Sequence, residues 1–201
     1  MNKKKNNFIV PANIGIIGYG IVGQAVAYGF SRPEIKDNYT ISFYDKYKKS
    51  LSLESVIKES EFIFICLPTP MKSDESGIDL SIVEKSLKEI IKYTNNTDKI
   101  VILKSTIIPG TTVSFEKTYP QTKFCFNPEF LTEANCLEDF LNADRTIIGA
   151  SNDLVSRRVV TLYKQRFPRM KIFQTNPMTA EMVKYVANTF LATKVIFANQ
   201  I

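Results

Sequence analysis

The order of apolar and polar residues constrains the fold of this chain more than any single motif does. Seven short runs rich in β-branched and other apolar residues alternate with segments of helical length. Strands joined by crossover helices pair in parallel and are buried on both faces, which explains why the runs are apolar throughout. The alternation predicts an α/β fold with a doubly wound, mainly parallel sheet and helices on both faces. Strands are predicted at 12–17, 39–45, 61–67, 99–104, 122–126, 145–150 and 171–174, and helices at 21–30, 52–59, 79–93, 110–118, 132–141, 152–166 and from Met178 onward.

A glycine-rich loop follows the first predicted strand and precedes the first predicted helix. The first glycine of such a loop permits a tight turn, the second lets the backbone approach a pyrophosphate, and the third allows close packing of helix on strand. The helix N-terminus adds unpaired N–H groups and the positive end of a dipole. We therefore predict a Rossmann-type dinucleotide site whose contacts include Gly18, Tyr19, Gly20, Ile21, Val22 and Gly23.

An acidic residue, Asp45, stands at the end of the second predicted strand. An acid about twenty residues beyond the loop accepts hydrogen bonds from the ribose hydroxyls of the adenosine and repels a 2′-phosphate. The sequence therefore predicts NAD as the cofactor, in preference to NADP. Three neighbouring cations, Lys46, Lys48 and Lys49, weaken that preference because they can accommodate a phosphate.

Composition narrows the functional class. The 201 residues are 44% hydrophobic and fit one domain, and the net charge of +6 is explained by a solvated surface or by attraction to an anionic nucleotide, so no nucleic-acid partner is predicted. The chain has no histidine and no paired cysteine motif, which argues against a zinc site, and we predict no metal. No signal peptide or membrane span is recognisable, so a cytoplasmic location with reduced thiols is expected.

Polar residues follow several of the predicted strands. Pro68 and Thr69 come after the third strand, and Ser105 and Thr106 after the fourth. In open α/β sheets, ligands bind at the carboxyl ends of the strands. We therefore expect the hydroxyls of Ser105 and Thr106 to lie near the ligand.

Two further pairs carry candidate chemistry. Glu129 and Glu133 are spaced to lie on one side of a helical turn directly after Pro128. Lys184 and Asn188 share one face of the last helix, and an ammonium and an amide aimed at one point can stabilise an oxyanion.

Taken together, these features resemble the nucleotide-sugar dehydrogenases, the UDP-glucose/GDP-mannose dehydrogenase family, over nearly the whole chain. The residues that carry the resemblance are the 18–23 loop, Ser105-Thr106, the Asn-Pro-Glu-Phe-Leu segment from Asn127, and Lys184 with Asn188. The resemblance implies oxidation of the C6 hydroxyl of a nucleotide-linked hexose to a uronic acid by two NAD, through an intermediate bound to a cysteine. The Phe130-Leu131 pair favours the UDP-glucose or GDP-mannose branches, and UDP-glucose is the predicted substrate.

The resemblance also assigns roles by position. Thr106 would help to hold a catalytic water, Glu133 would assist thioester hydrolysis near the nicotinamide, and Lys184 and Asn188 would stabilise oxyanions. The implied cofactor contacts further include Pro68, Thr69, Ser105, Thr106 and Glu133, and the implied substrate contacts are Glu129, Phe130, Leu131, Glu133, Lys184 and Asn188. Thr132 departs from the family, which commonly has Arg or Lys after the Phe-Leu pair.

The family's nucleophile lies in a second domain, in a segment of the G-G-x-C-x-P-K-D type that this sequence lacks. Cys66 and Cys125 fall in apolar runs and are predicted to be core residues, whereas Cys136 is predicted on a helix face. We therefore expect residues 1–201 to be an NAD-binding domain that ends in the start of a long inter-domain helix, about 178–201, with the C-terminal UDP-binding domain absent.

The last predicted helix keeps its apolar positions to the end of the sequence, so we expect a homodimer or a C-terminal catalytic half to cover it. Two other functions stay open. One is a short NAD-binding module without dehydrogenase activity. The other is a related β-hydroxyacid dehydrogenase, a class that also joins a glycine-rich loop to a Lys-x-x-x-Asn helix.

Overall fold

The computed structural model describes residues 11–31, 38–132 and 134–201. All seven predicted strands are present, and the predicted helices are present with them. The strands are β1 (Ala12–Ile17), β2 (Tyr39–Tyr44), β3 (Phe62–Ile65), β4 (Ile100–Leu103), β5 (Lys123–Phe126), β6 (Arg145–Gly149) and β7 (Lys171–Thr175). The helices are α1 (Ile21–Phe30), α2 (Leu53–Glu59), α3 (Ser81–Thr94), α4 (Thr111–Thr118), α5 (Cys136–Leu141), α6 (Asp153–Arg166) and α7 (Pro177–Gln200).

The strands form one sheet in the order β2-β1-β3-β4-β5-β6-β7. The first five strands pair in parallel, and β6 pairs in parallel with β7. The strand after β1, which is β2, lies on one side of β1, whereas β3 and the later strands lie on the other side. The strand order therefore reverses between the neighbours β1 and β3. A reversal of this kind opens a crevice at the carboxyl ends of the strands, and the glycine loop lies there.

Helices cover both faces of the sheet, as predicted. Side chains such as Ile14, Ile16 and Phe64 pack on one face with α1 and α6. Side chains such as Ile63, Val101 and Leu103 pack on the other face with α2, α3 and α4. Burial of apolar surface on both faces stabilises the sheet and leaves the loops at its carboxyl edge available for binding.

The contact between β5 and β6 is a single antiparallel pair, Phe126 with Gly149. Most of β6 therefore extends beyond the end of β5 and lies beside the loop that follows it. Asn127, the first residue of that loop, is buried and donates from Nδ2 to Thr146 Oγ1 at 2.9 Å and to the Ile147 carbonyl at 2.7 Å. These bonds fix the start of the Asn-Pro-Glu-Phe-Leu segment against the sheet.

One predicted helix begins later than expected. Residues 127–132 are not helical, and α5 begins at Cys136 instead of residue 132, so the predicted helical turn after Pro128 is wrong for Glu129. Side chains compete with the helix here: Glu129 Oε2 accepts the Leu131 N–H at 2.7 Å, and Asp139 Oδ2 accepts the Thr132 N–H at 2.8 Å. The partner of Glu129 in that prediction, Glu133, lies outside the described residues.

The start of α7 is held closely against the sheet. Asn176 caps the helix by accepting the Thr179 N–H at 2.8 Å, and Pro177 occupies the first turn. Gly149 permits the close approach, since a Cβ there would lie 2.6 Å from Ala180 Cβ. Beyond Lys184 the helix becomes largely exposed. No helix within the described ranges is long and apolar enough to cross a membrane.

Candidate functional site

The glycine loop requires its first and third glycines for backbone geometry. Gly18 has φ +92°, and a Cβ there would lie 2.5 Å from the Cys66 carbonyl oxygen. Its N–H donates to the Tyr44 carbonyl at 2.9 Å, which joins the loop to the end of β2. A Cβ on Gly23 would lie 2.1 Å from the Gly18 carbonyl oxygen, so α1 packs directly on the turn.

Gly20 is different, because no atom of the described residues, apart from its own chain neighbours, lies within 4 Å of the position that a Cβ would occupy. Gly20 is also the N-cap of α1, and no side chain caps the first-turn N–H groups. Open space in front of uncapped N–H groups and a positive helix end fits a pyrophosphate. Ile21 and Val22 begin the helix beside this space. The loop therefore fits a dinucleotide on its own geometry.

Asp45 is anchored as a rigid acceptor next to this space. Oδ2 accepts the Tyr19 N–H at 2.8 Å and Oδ1 accepts the Tyr47 N–H at 2.9 Å. Burial works to raise the pKa of Asp45, but the N–H groups of Tyr47 and Tyr19, with the charge of Lys48, outweigh it and the pKa is lowered. The carboxylate stays ionised, with lone pairs left on both oxygens to accept further hydrogen bonds.

Ser105 bonds to Leu67, the residue before Pro68, where the neighbouring strands β3 and β4 end. The Ser105 hydroxyl is buried, donates to the Leu67 carbonyl at 2.7 Å and accepts the Leu67 N–H at 2.9 Å. It therefore holds the turn that presents exposed Pro68 and half-buried Thr69 at the crevice. Of the Ser105-Thr106 pair, only half-buried Thr106 has a hydroxyl that forms no hydrogen bond within the described part of the chain, so this hydroxyl is available to a ligand.

Lys184 and Glu129 form the central ion pair of the candidate site. Lys184 Nζ lies 2.6 Å from Glu129 Oε1 and 2.7 Å from the Glu129 carbonyl oxygen, and the two side chains are 6% and 15% exposed. The ammonium also lies 5.6 Å from the centre of the Phe130 ring. Glu129 thus holds Lys184 in place, and one N–H of the ammonium is left for another acceptor.

Two further predicted site residues, Asn188 and Leu131, follow the members of this pair along the chain. Asn188 is one turn beyond Lys184 on α7 and is exposed. Its amide makes no hydrogen bond to any residue that the structure describes. Leu131 follows Phe130 and contributes its N–H to Glu129. Glu133, predicted to serve in catalysis and in both binding sites, lies outside the described residues.

A buried polar cluster behind the ion pair was not predicted. Lys104 Nζ donates to Asn127 Oδ1 at 2.9 Å, and the Tyr163 hydroxyl donates to the same oxygen at 2.5 Å. All three side chains are buried. Burial lowers the pKa of Lys104 to about 8, although Cys66 and Glu129 nearby oppose the shift. The sequence signal that was available is the position of Lys104 directly between the apolar strand β4 and Ser105.

Glu181 is a second residue that the sequence reasoning missed. It is fully buried, and its carboxylate accepts N–H groups from Gly110 and from Thr112, the latter at 2.8 Å. These groups stand at the N-terminus of α4, where a carboxylate is favoured by the helix dipole. Glu181 therefore ties α7 to the loop that carries Thr106. Its place one turn before Lys184 on the same helix is the signal that was available.

A cavity of about 660 Å³ adjoins the ion pair. The loop from Pro128 to Thr132, the start of β6, α5 and the middle of α7 form its walls, and Lys104 and Tyr163 reach it from below. Its volume is that of a small-molecule site.

The thiols are not arranged as nucleophiles. Burial raises the pKa values of Cys66 and Cys125 to about 12, against the opposing charge of Lys104. Cys136 lies half-buried at the start of α5. The expectation that Cys66 and Cys125 are core residues agrees with these surroundings.

Comparison with known proteins identifies the family. Residues 34–167 match the NAD-binding domain of the UDP-glucose/GDP-mannose dehydrogenase family. The UDP-glucose 6-dehydrogenase of Rickettsia typhi is 32% identical over 161 residues, which cover 78% of this chain and 37% of that protein. The UDP-glucose 6-dehydrogenase TuaD of Bacillus subtilis is 35% identical over 156 residues, which cover 74% of this chain and 33% of that protein.

A solved structure of a UDP-glucose dehydrogenase has the same fold as this chain. The UDP-glucose dehydrogenase of Pyrobaculum islandicum superimposes with a TM-score of 0.83 at 26% identity and covers 96% of this chain and 53% of its own. The chain spans 37% and 33% of the length of the two curated relatives. The match to the family agrees with the glycine loop and with Asp45. The chain therefore belongs to the UDP-glucose/GDP-mannose dehydrogenase family and carries its NAD-binding domain.

Proposed function

We propose that this chain supplies the NAD-binding half of an enzyme that oxidises the C6 hydroxyl of a nucleotide sugar to a uronic acid. The observation that carries the proposal is the buried Lys184–Glu129 pair, which lies at the same edge of the sheet as a glycine loop that fits a dinucleotide. NAD, when bound, supplies the hydride acceptor. The chain's own residues bind and orient the reactants and stabilise charge at the reacting oxygen.

The division of roles follows the chemistry of the side chains. Alcohol oxidation builds negative charge on oxygen, and the Lys184 ammonium with the Asn188 amide would stabilise it. Thr106 would help to hold a water, and Glu133 would act as the base that assists hydrolysis. Contacts from Phe130 and Leu131 would position the sugar.

UDP-glucose is the substrate that we favour. The Phe130-Leu131 pair is typical of the UDP-glucose and GDP-mannose branches, and both curated relatives described above are UDP-glucose 6-dehydrogenases. We further propose that the exposed apolar residues of α7 are covered by a second copy of the chain. The support is the number of large apolar side chains on this helix that are more than half exposed, which include Val186, Phe190, Val195 and Phe197.

A second function is favoured by one observation. Burial raises the pKa values of the Cys66 and Cys125 thiols to about 12, so neither of these two residues is an activated nucleophile. A binding module that takes up NAD without turning over a sugar fits that observation. NADH formation from UDP-glucose in the full-length gene product separates the two functions.

Cofactor binding is tested by Gly20→Val. Apart from the chain neighbours of Gly20, no described residue comes within 4 Å of the added Cβ, so the fold should tolerate the change while the pyrophosphate loses its space. We expect calorimetry to show no NAD binding by this variant, with an unfolding temperature close to that of the wild type. Gly23→Ala is the matched contrast, because its Cβ meets the Gly18 carbonyl and should destabilise the fold. Retained NAD affinity in Gly20→Val would contradict the site.

Oxidation is tested by NADH formation from UDP-glucose in the full-length gene product. Asn188→Ala should lower kcat by roughly 10²-fold, the usual effect of removing one oxyanion donor. Asn199→Ala, an exposed amide on the same helix, is the control and should leave kcat unchanged. Equal kcat values for the two variants would show that Asn188 does not stabilise the oxyanion.

A further inference from the structure

An exposed cation, Lys48, is docked on the cofactor loop. Its Nζ donates to the Tyr19 carbonyl at 2.6 Å and lies 5.5 Å from the centre of the Tyr19 ring. The neighbouring Lys46 lies over the Tyr47 ring at 5.3 Å instead. Lys49 is exposed and makes no ion pair or hydrogen bond within the described residues. Only one of the three cations after β2 therefore contacts the loop.

Lys48 and Asp45 hold the two polar backbone groups of the same residue. Asp45 accepts the Tyr19 N–H, whereas Lys48 donates to the Tyr19 carbonyl. A carboxylate and an ammonium thus flank one residue of the loop, at the point where the ribose of a dinucleotide is recognised. The lowered pKa of Asp45, to which Lys48 contributes, agrees with their closeness.

The residue on which Lys48 docks is itself fixed. The Tyr19 ring stacks on Phe43 with 3.8 Å between ring centres. The Tyr19 carbonyl also accepts Gln24 Nε2 at 3.1 Å. A fixed docking point keeps the ammonium near the carboxylate instead of letting it sample the whole reach of a lysine side chain.

We propose that Lys48 determines the cofactor selectivity of this site by offering a counter-charge to a 2′-phosphate beside Asp45. NADP is then a weaker second ligand of the same site. The inference rests on the proposed dinucleotide site. An acid at the ribose repels the phosphate and a nearby cation accommodates it, so the balance between Asp45 and Lys48 sets the ratio of the two affinities. A cation a few ångströms from a phosphate is worth roughly a five- to tenfold gain in affinity at low ionic strength.

The test compares Lys48→Met with Lys49→Met, which remove the same charge from adjacent exposed positions. Calorimetric titration with NAD and with NADP at low salt gives the ratio of affinities for each protein. We expect Lys48→Met to lose roughly five- to tenfold in NADP affinity and to bind NAD within about twofold of the wild type. Lys49→Met should change neither affinity by more than about twofold, and high salt should remove the effect of Lys48→Met. Lys48→Arg should retain NADP binding.

Other outcomes overturn the inference in distinguishable ways. Equal losses of NAD and NADP in Lys48→Met would mean that Lys48 only supports the loop. Equal effects of the two variants would mean that general surface charge is responsible. A wild-type chain that binds NAD with no detectable NADP would leave the proposed function intact and overturn the role of Lys48. A wild-type chain that binds neither dinucleotide would overturn the proposed NAD site and this inference with it.

Discussion

At the residue scale, Asp45 shows how a single side chain serves the loop and the ligand together. Its two oxygens hold Tyr19 and Tyr47, so the carboxylate is oriented before any cofactor arrives. Preorganised acceptors cost little to use, because their position is already fixed by the fold. The position of Asp45 was predictable from its spacing, but its anchoring by two backbone N–H groups was not.

We predict that the wild-type chain binds NAD more tightly than NADP. Asp45→Asn should reduce the difference between these two affinities. The neutral amide no longer repels a 2′-phosphate and accepts ribose hydroxyls less well than a carboxylate. Calorimetry with both cofactors measures the two affinities. Asp74→Asn, which alters an exposed carboxylate in a distant loop, is the control. If the wild-type chain bound NADP more tightly than NAD, Asp45 would not be the residue that recognises the ribose hydroxyls.

The buried ammonium of Lys104 makes stability depend on pH. Its pKa is lowered to about 8 in the folded chain, whereas the unfolded value is 10.5. Between these two pH values the unfolded chain binds a proton that the folded chain has lost, so this residue contributes stability that rises with pH.

We therefore compare the free energies of unfolding of the wild type and Lys104→Met. As the pH rises through this window, the wild-type value minus the variant value should increase by about 2–3 kcal/mol. Urea unfolding of both proteins at several pH values measures the difference. Lys88→Met, on the exposed side of α3, should show no such trend. A constant difference between the wild type and Lys104→Met would mean that Lys104 keeps its proton throughout.

At the scale of secondary-structure elements, α7 joins the two parts of the candidate site. Its first turns bind the α4 N-terminus through Glu181 and the Asn-Pro-Glu-Phe-Leu loop through Lys184. From Val183 onward it carries an apolar stripe, which we define as Val183, Val186, Phe190 and Phe197, at helical spacing. One helix thus positions candidate site residues in its first turns and leaves an apolar stripe exposed from Val183 onward.

We predict that the chain self-associates through this stripe. Phe190→Glu with Phe197→Glu should shift the sedimentation of the purified chain from dimer toward monomer, because two charges cannot be buried without partners. Asn199→Glu adds charge outside the stripe and should leave the dimer intact. A monomeric wild type would show that the stripe is not a contact between copies.

At the scale of the whole molecule, the chain combines a complete cofactor loop with thiols unsuited to covalent catalysis. Cys66 and Cys125 have pKa values of about 12, so almost none of either is thiolate near neutral pH. The described chain therefore presents the groups for binding and charge stabilisation without an activated nucleophile among these two residues.

Two measurements follow for the purified 201-residue chain. With UDP-glucose and NAD, we expect no steady formation of NADH. A thiol reagent at neutral pH should modify Cys136 rapidly and Cys66 and Cys125 only after denaturation. Rapid loss of all three thiols in the native state, or sustained NADH formation, would contradict the reading of Cys66 and Cys125 as core residues.

The sequence by itself determined the succession of strands and helices along the chain, the mainly parallel sheet, the glycine loop and the position of Asp45. These features depend on periodicity and on short-range spacing, which are written in neighbouring residues. The helix predicted from residue 132 was wrong at its start because Glu129 and Asp139 bond to the backbone there, a competition that periodicity does not record.

Only the tertiary structure decided which side chains meet. Glu129 and Lys184 are 55 residues apart, and Gly110 and Glu181 are 71 apart. The hydroxyl of Ser105 is engaged by Leu67, and Lys104, Asn127 and Tyr163 share one buried cluster. Contacts at such separations depend on how the strands are ordered and how the helices pack, so no local pattern in the sequence specifies them.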